Sequence, residues 1–425
     1  MDIIKNLRIY SFSLLSSLCI IVISVILTKE LNGIGPEVYS VFIFISAILN
    51  FAPLFELGIG GWIQNLSALN KKASSLTFLR NALRKYWLTK VLFIIFFLLI
   101  IIFLIKDYIP ARASFGTYQD YLFISLGLGF VSSAGLALFK ILSRYFLAIE
   151  SNYKAYFFSA FPYVFSFMIY LVAGYFLDDF FNPFLYFLGF SFLLFLGSAY
   201  LFFKIPNSKN MTNLEGVSQR RGFFLFSLIG VLQLNFEILV GGWFVKPEDL
   251  ANIGILQRVY FSVFVFISIY YSFQWRKFTL CSDKKKCIKL IMSAYLILLL
   301  GTSIFIIIIY FLRDFWWYFF SNDPIPLLQV HVLFMIIMFL KLLVEVNSLF
   351  LQAKGLLKVL NLLVLFSFLF NSLLYWIYQD VLDLSYILFI QASSYFVFLL
   401  AQTFYLIKVF TSDAFNDINT NIQSS

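Results

Sequence analysis

Histidine and cysteine are almost absent from this chain, which has one histidine and three cysteines in 425 residues. Cys19, Cys281 and Cys287 show no Cys-x2-Cys spacing and have no histidine nearby, so neither a disulfide framework nor a zinc site is expected. Charge is scarce as well, at 12% of residues. No Gly-x4-Gly-Lys phosphate loop occurs, which excludes ATP hydrolysis by the chain itself. His331, the only histidine, has no catalytic partner in sequence. The longest connections between apolar runs hold only about 20 residues, too few for an inserted soluble domain. With no constellation for chemistry and no metal or cofactor signal, an enzyme is not expected and transport is the default.

What is abundant is apolar surface. Hydrophobic residues make up 62% and aromatics 21%, and the mean hydropathy is +0.92. A spanning helix needs about 20 mostly apolar residues, because its backbone must close its own hydrogen bonds across about 30 Å of hydrocarbon. Twelve segments qualify: 9–28, 38–63, 87–105, 121–142, 155–177, 184–203, 223–245, 251–273, 290–312, 327–352, 359–378 and 385–407. Of the 31 Lys and Arg, 24 fall at or near the side of the N-terminus and five on the other, while Arg258 and Lys341 lie deep inside segments. By the positive-inside rule both termini are cytoplasmic. Basic loops beside anionic headgroups also account for the net charge of +10 without any nucleic-acid partner. Aromatics at segment ends, as in "RDFWWYFFSND" and at Trp87, Trp243 and Trp275, read as interfacial anchors.

The segments divide evenly. Residues 1–203 form a first lobe of six helices, 204–222 a basic cytoplasmic linker, 223–407 a second lobe of six, and 408–425 a cytoplasmic tail. "NGIGPEVYSVFIFI" (32–45) and "WFVKPEDLANIGIL" (243–256) each place a Pro-Glu pair in the turn after an odd-numbered helix, six helices apart. An even offset makes this a parallel repeat, with a transport path expected between the halves. The expected fold is therefore an all-α integral membrane protein of twelve transmembrane helices in two six-helix lobes.

Away from their ends the segments hold five charges: Glu56, Glu237, Arg258, Lys341 and Glu345. Each costs at least about 2.5 kcal/mol at the bilayer centre, so each should face protein or water. Lys341 and Glu345 are four apart, on one helix face, and read either as a self-neutralising pair or as a cavity cation with its counter-ion. Glu56, in "FELGIGG", sits beside three glycines where a hinge or a close helix approach fits. Glu237 and Arg258 lie at about the same depth, roughly 12 Å from the outer boundary at 1.5 Å per residue. They read either as an ion pair stapling the hairpin or as a substrate cation with a partner that holds and releases it.

The stretches "LFELGIGGWIQNLSALN", "ILSRYFLAIESNYKAYFFSAF" and "LNFEILVGGWFVKPEDLANIGILQRV" resemble polysaccharide flippases of the multidrug/oligosaccharidyl-lipid/polysaccharide (MOP) exporter superfamily. In that family the position of Glu237 commonly carries aspartate. Twelve helices resemble the O-antigen and capsule branch more than the lipid II flippases, which usually have fourteen, and the drug exporters of the superfamily also have twelve. The resemblance implies carriage of an undecaprenyl-pyrophosphate-linked oligosaccharide across the cytoplasmic membrane by alternating access, for O-antigen, lipopolysaccharide or capsule biosynthesis. A glycan polymerase and chain-length machinery would be its further partners, beside membrane lipids. Under this reading Arg258 and Lys341 bind substrate, and Glu237, Glu345 and Glu56 serve in ion coupling or charge pairing. The rival reading is a cation-coupled multidrug exporter.

Overall fold

The computed structural model describes residues 2–61, 87–105, 118, 121–148, 152–177, 181–204, 217–239, 245–321, 325–326, 328–379 and 382–411. By its contacts the chain forms two compact units, Met1–Leu214 with Ile238–Gly254, and Glu215–Glu237 with Ile255–Ser425. Among the described residues every regular element is a helix. Among the described residues eight helices are long and apolar enough to cross a membrane. Thr89–Ile100, Asn182–Gly197 and Arg221–Gln233 are shorter apolar stretches, and the charged-ended helix Pro247–Leu280 covers the eighth expected segment.

The first unit contains α1 (Asp2–Ile34), α2 (Pro36–Leu49), α3 (Ala52–Phe55), α4 (Leu88–Ile105), α5 (Leu122–Ala148), α6 (Asn152–Gly174) and α7 (Asn182–Lys204). Both Pro-Glu pairs start helices, Pro36 and Glu37 on α2 and Pro247 and Glu248 on the later helix. Proline costs no hydrogen bond at a first helical position, and an acid there meets the positive end of the helix dipole. The expected continuous second segment, 38–63, is instead interrupted. The chain leaves α2 at Asn50, runs through α3, and turns at Glu56, Leu57 and Gly58 before resuming helix at Ile59. Leu57 and Gly58 both have positive φ, 53° and 72°, which is unfavourable for a branched side chain such as leucine.

Small residues set the core of this unit. Helices α5, α6 and α7 pack on one another, with α2 against α5 and α1 against α6. Ser132 donates to the Phe187 carbonyl at 2.8 Å and Ser133 to the Ile48 carbonyl at 2.6 Å. At Gly135 on α5 an added methyl would run into the carbonyl oxygen of Phe190, and at Gly189 on α7 it would meet the Cα of Ser166. These backbones are close because no side chain separates them. Phe93, Phe96 and Phe97 of α4 point outward, as a helix bordering lipid requires.

The second unit contains α8 (Val217–Leu234), the first half of α9 (Phe236–Leu239), most of α10 (Pro247–Leu280), α11 (Lys284–Phe311), α12 (Arg313–Phe320), α13 (Leu328–Ala353), α14 (Leu357–Ile377) and α15 (Leu384–Thr411). Helix α13 packs on α15 and α11, and α14 packs on α8 and α15. The seventh expected segment, 223–245, is also interrupted, at Asn235 between α8 and α9, and 240–244 lie outside the described residues. The stretch beginning at Arg313 is a helix rather than an open connection. Trp316, Trp317 and Phe320 are buried while Phe315 and Tyr318 stay exposed, so the two tryptophans are core residues. Trp87 is core as well, fully buried; Trp243 lies outside the described residues.

At one end of this unit three helix termini meet. Gly355, at φ 68°, closes α13, with the Leu356 amide returning to the Leu351 carbonyl at 2.9 Å, a Schellman-type cap. The neighbouring Lys354 is 2% exposed and donates to the carbonyl of Cys281. Cys281 and Cys287 are joined by a disulfide, contrary to the expectation from their spacing.

Two expectations follow. Gly135→Ala and Gly189→Ala should each destabilise the protein by about 1–3 kcal/mol through overpacking, read as a lower thermal midpoint in detergent. Gly230→Ala, where nothing lies within 4 Å, should leave it unchanged. Burial also holds the Lys354 ammonium at about 8, below its ordinary 10.5. Between those values the unfolded chain binds more protons than the folded one, so Lys354 contributes a rise in stability with pH across that window. Lys354→Met should remove that part of the pH dependence in thermal unfolding.

Candidate functional site

In the first unit the intramembrane acid has found cations. Glu56, 2% exposed, lies at the turn that ends α3, and its Oε2 is 3.0 Å from Nη1 of Arg144 on α5. Lys140, one turn earlier on the same face of α5, is within electrostatic reach of the same carboxylate. The other carboxylate oxygen, Oε1, is buried with no hydrogen-bond partner. Gly60 makes the pair possible, because a side chain there would collide with the Glu56 carboxylate and the Arg144 guanidinium. The turn is fixed from the other side by Trp87, whose indole N–H donates to the Phe55 carbonyl at 2.7 Å. A buried carboxylate held through one oxygen, on a strained turn, can change partner or take up a proton at the other oxygen.

The remaining four charges belong to the second unit. Arg258 is half-buried on α10. Lys341 is 7% exposed on α13, and Glu345, half-buried one turn later, is within its electrostatic reach. A lysine four residues before a glutamate is the weaker order for such a pair, since the helix dipole favours the reverse. Glu237 lies on the four-residue α9, and its side chain is outside the described residues. The second unit also has a polar core that the sequence reading overlooked. Gln233 of α8 donates to Ser367 of α14 at 2.5 Å and to Ser394 of α15 at 3.1 Å. Asn371 donates to Gln391 at 3.0 Å, and Gln391 donates to the Gln233 carbonyl at 2.9 Å. Gln233 Oε1 and Asn371 Oδ1 are buried without a partner.

His331 is fully buried. Its Nδ1 lies 3.2 Å from the Tyr260 hydroxyl, with the rings of Trp316 and Trp317 at 5.8 and 6.4 Å. Aromatic enclosure of this kind makes it a packing residue of the second unit.

No family model matches the sequence, and no curated protein sequence matches it. Solved structures do. The MATE multidrug transporter DinF-BH, solved in complex with a ligand, aligns with a TM-score of 0.65 at 14% identity, over 94% of this chain and 95% of that one. The fold is that of MATE transporters of the MOP superfamily. The Vibrio cholerae MATE transporter VcmN aligns with a TM-score of 0.64 at 10% identity, over 96% of this chain and 97% of that one. A MOP superfamily transporter from Pyrococcus furiosus aligns at 0.60 and 14%, over 95% of both chains.

Sequence reading missed Arg144 and Lys140 by assigning them to the cytoplasmic face, although α5 carries both at the inner end of a candidate span. Their four-residue spacing, opposite an acid in the neighbouring segment, was the available signal. Arg144→Ala should leave Glu56 buried without its direct ion-pair partner, with Lys140 still within electrostatic reach. Arg144 is 34% exposed, so the expected loss is about 1–3 kcal/mol, below that of a fully buried pair. The double variant Glu56→Gln, Arg144→Ala should recover most of it in thermal unfolding, and an equal loss in both would show that the arginine contributes by packing alone.

Proposed function

We propose that this protein is a cation-coupled exporter that works by alternating access. The observation that carries this reading is the fold likeness, which spans nearly the full length of both chains in every comparison and includes a multidrug transporter solved with its ligand. Glu56 fits the coupling role. It is an acid in a polar break of an apolar helix, with one oxygen held by a cation and the other unpartnered. Proton uptake at Oε1 would weaken its hold on Arg144 and release the turn. Glu345, paired with Lys341, and Glu237 are the further candidates for coupling in the second unit.

One observation favours a second cargo class. The intramembrane side chains described include four cations, Lys140 and Arg144 in the first unit and Arg258 and Lys341 in the second, and two acids, Glu56 in the first unit and Glu345 in the second; Glu237 adds a third acid from the sequence. An excess of cations within the apolar segments suits an anionic cargo, and the cargo implied by the sequence resemblance, an undecaprenyl-pyrophosphate-linked oligosaccharide, is one. In this reading Arg258 and Lys341 engage the pyrophosphate, with the guanidinium offering the bidentate fork that phosphate favours. Nothing in a flippase cycle of this kind requires chemistry by the chain.

A deletion strain separates the two. Under the exporter reading it becomes more susceptible to amphiphilic cationic drugs while its surface glycan is unchanged. Under the flippase reading it accumulates lipid-linked repeat units on the cytoplasmic leaflet and loses surface glycan, with drug susceptibility unchanged. If Arg258 engages an anionic cargo, the exchange Glu237→Arg with Arg258→Glu should restore protein level but not transport, and Arg258→Lys should transport partially. Full transport by the exchanged protein at equal membrane level would assign the residue to the fold alone.

A further inference from the structure

The joint between α10 and α11 carries a feature that export of either cargo leaves unused. Helix α10 ends at Leu280, three residues intervene, and Asp283 caps α11 by accepting from the Lys286 amide at 3.0 Å. Cys281 and Cys287 flank this cap with Cα atoms 5.9 Å apart, within the usual span of a disulfide. The same geometry serves the two thiols. Cys287 Sγ lies 3.3 Å from the Cys281 carbonyl oxygen, and Cys281 Sγ lies 3.5 Å from that of Asp283. Each sulfur thus lies beside a carbonyl oxygen able to accept an S–H.

The surroundings define the chemistry. Cys287 is the fourth residue of α11 and follows Lys284, Lys285 and Lys286, and a helix N-terminus with nearby lysines favours a thiolate. Cys287 is fully buried, whereas Cys281 retains 9% exposure beside exposed Ser282. The run from Arg276 to Lys289 holds six of the basic residues that assign this end to the cytoplasm. In that compartment thiols are kept reduced and disulfides are transient.

We propose that Cys281 and Cys287 form a reversible oxidation site on the cytoplasmic end of the second unit, opened by reductant and closed by a peroxide. The Cys281 thiolate attacks the peroxide O–O bond, giving a sulfenic acid and releasing hydroxide. The Cys287 thiolate then attacks that sulfur, forming the S–S bond and expelling the second oxygen as water once protonated. Overall two thiols and one hydrogen peroxide give one disulfide and two waters; sulfur is oxidised and the peroxide oxygen is reduced. A dithiol reductant reverses the step by exchange at the more exposed Cys281. Closure restrains the hinge between α10, which carries Arg258, and α11. Through the Lys354 contact to the Cys281 carbonyl, it also restrains the end of α13, which carries Lys341 and Glu345.

The test uses the full-length protein in its own membrane. Cells are quenched in acid before and after a hydrogen peroxide challenge, and free thiols in the denatured protein are counted with a mass-tagging maleimide. The chain has three cysteines, so the resting protein should take three tags, and the challenged protein one, on Cys19, with three restored by dithiothreitol. Cys281→Ser should keep two tags throughout. Purified protein should melt a few degrees higher oxidised than reduced, and Cys281→Ser should show no such difference. Three tags, or two, after challenge of the unaltered protein would show that the pair does not close. One tag in resting cells would show a permanent structural bond, and equal melting of the two forms would remove the restraint.

Discussion

The structure depends on one constraint, that a carbonyl released inside a helix bundle must be given another donor. Among the described residues, carbonyls at five helix ends or breaks meet a side chain from another element. The Phe55 carbonyl, at the end of α3, receives the Trp87 indole, and the Ile48 carbonyl, at the end of α2, receives the Ser133 hydroxyl in addition to the Phe51 amide. At the break after α8 the Gln233 carbonyl receives the Gln391 amide. The Ile309 carbonyl near the end of α11 receives the Trp316 indole, and Lys354 serves Cys281. Most of these donors are large or long, able to reach across a helix–helix gap. Ser133 is the exception, and it sits on α5, where small residues bring the backbones close.

The same logic extends from dipoles to charge. Glu56 is tolerable in an apolar segment because α5 turns Arg144 and Lys140 toward it, and because Gly60 leaves room for the contact. In the second unit, Lys341 and Glu345 share a face within electrostatic reach of one another, whereas the Gln233–Asn371–Gln391 network meets the demand for polarity with neutral groups. The two units thus handle interior polarity differently, the first with a carboxylate on a strained turn and the second with amides and hydroxyls joining three helices. A strained turn can relax to a second arrangement more readily than a set of interlocked amides, which places the more easily switched element at Glu56.

The all-helical, apolar class was legible in the sequence for physical reasons that are local, whereas the Pro-Glu pairs, expected in turns, open α2 and α10. A run of about 20 apolar residues must be helical if it crosses lipid, and proline followed by glutamate starts a helix by its own stereochemistry and charge. The five intramembrane charges were equally visible, because the cost of placing a charge in hydrocarbon does not depend on the fold.

What only the tertiary structure decided is where those helices stop being helices and what each polar group meets there. Hydropathy averages over a window, so a three-residue turn at Glu56–Gly58 or a break at Asn235 leaves the mean almost unchanged. The partners that stabilise such breaks, Trp87 for Phe55, Arg144 for Glu56 and Gln391 for Gln233, lie 32, 88 and 158 residues away along the chain and carry no local signature. The joining of Cys281 and Cys287 was hidden for a related reason. Their spacing of six fits no ligand motif, and only the reversal of direction between α10 and α11 brings the two sulfurs together. Sequence by itself therefore determined that this chain spans a membrane, through local transfer energies, while packing across helices determined which of its few polar groups are held, which are paired and which are left with an unpartnered atom.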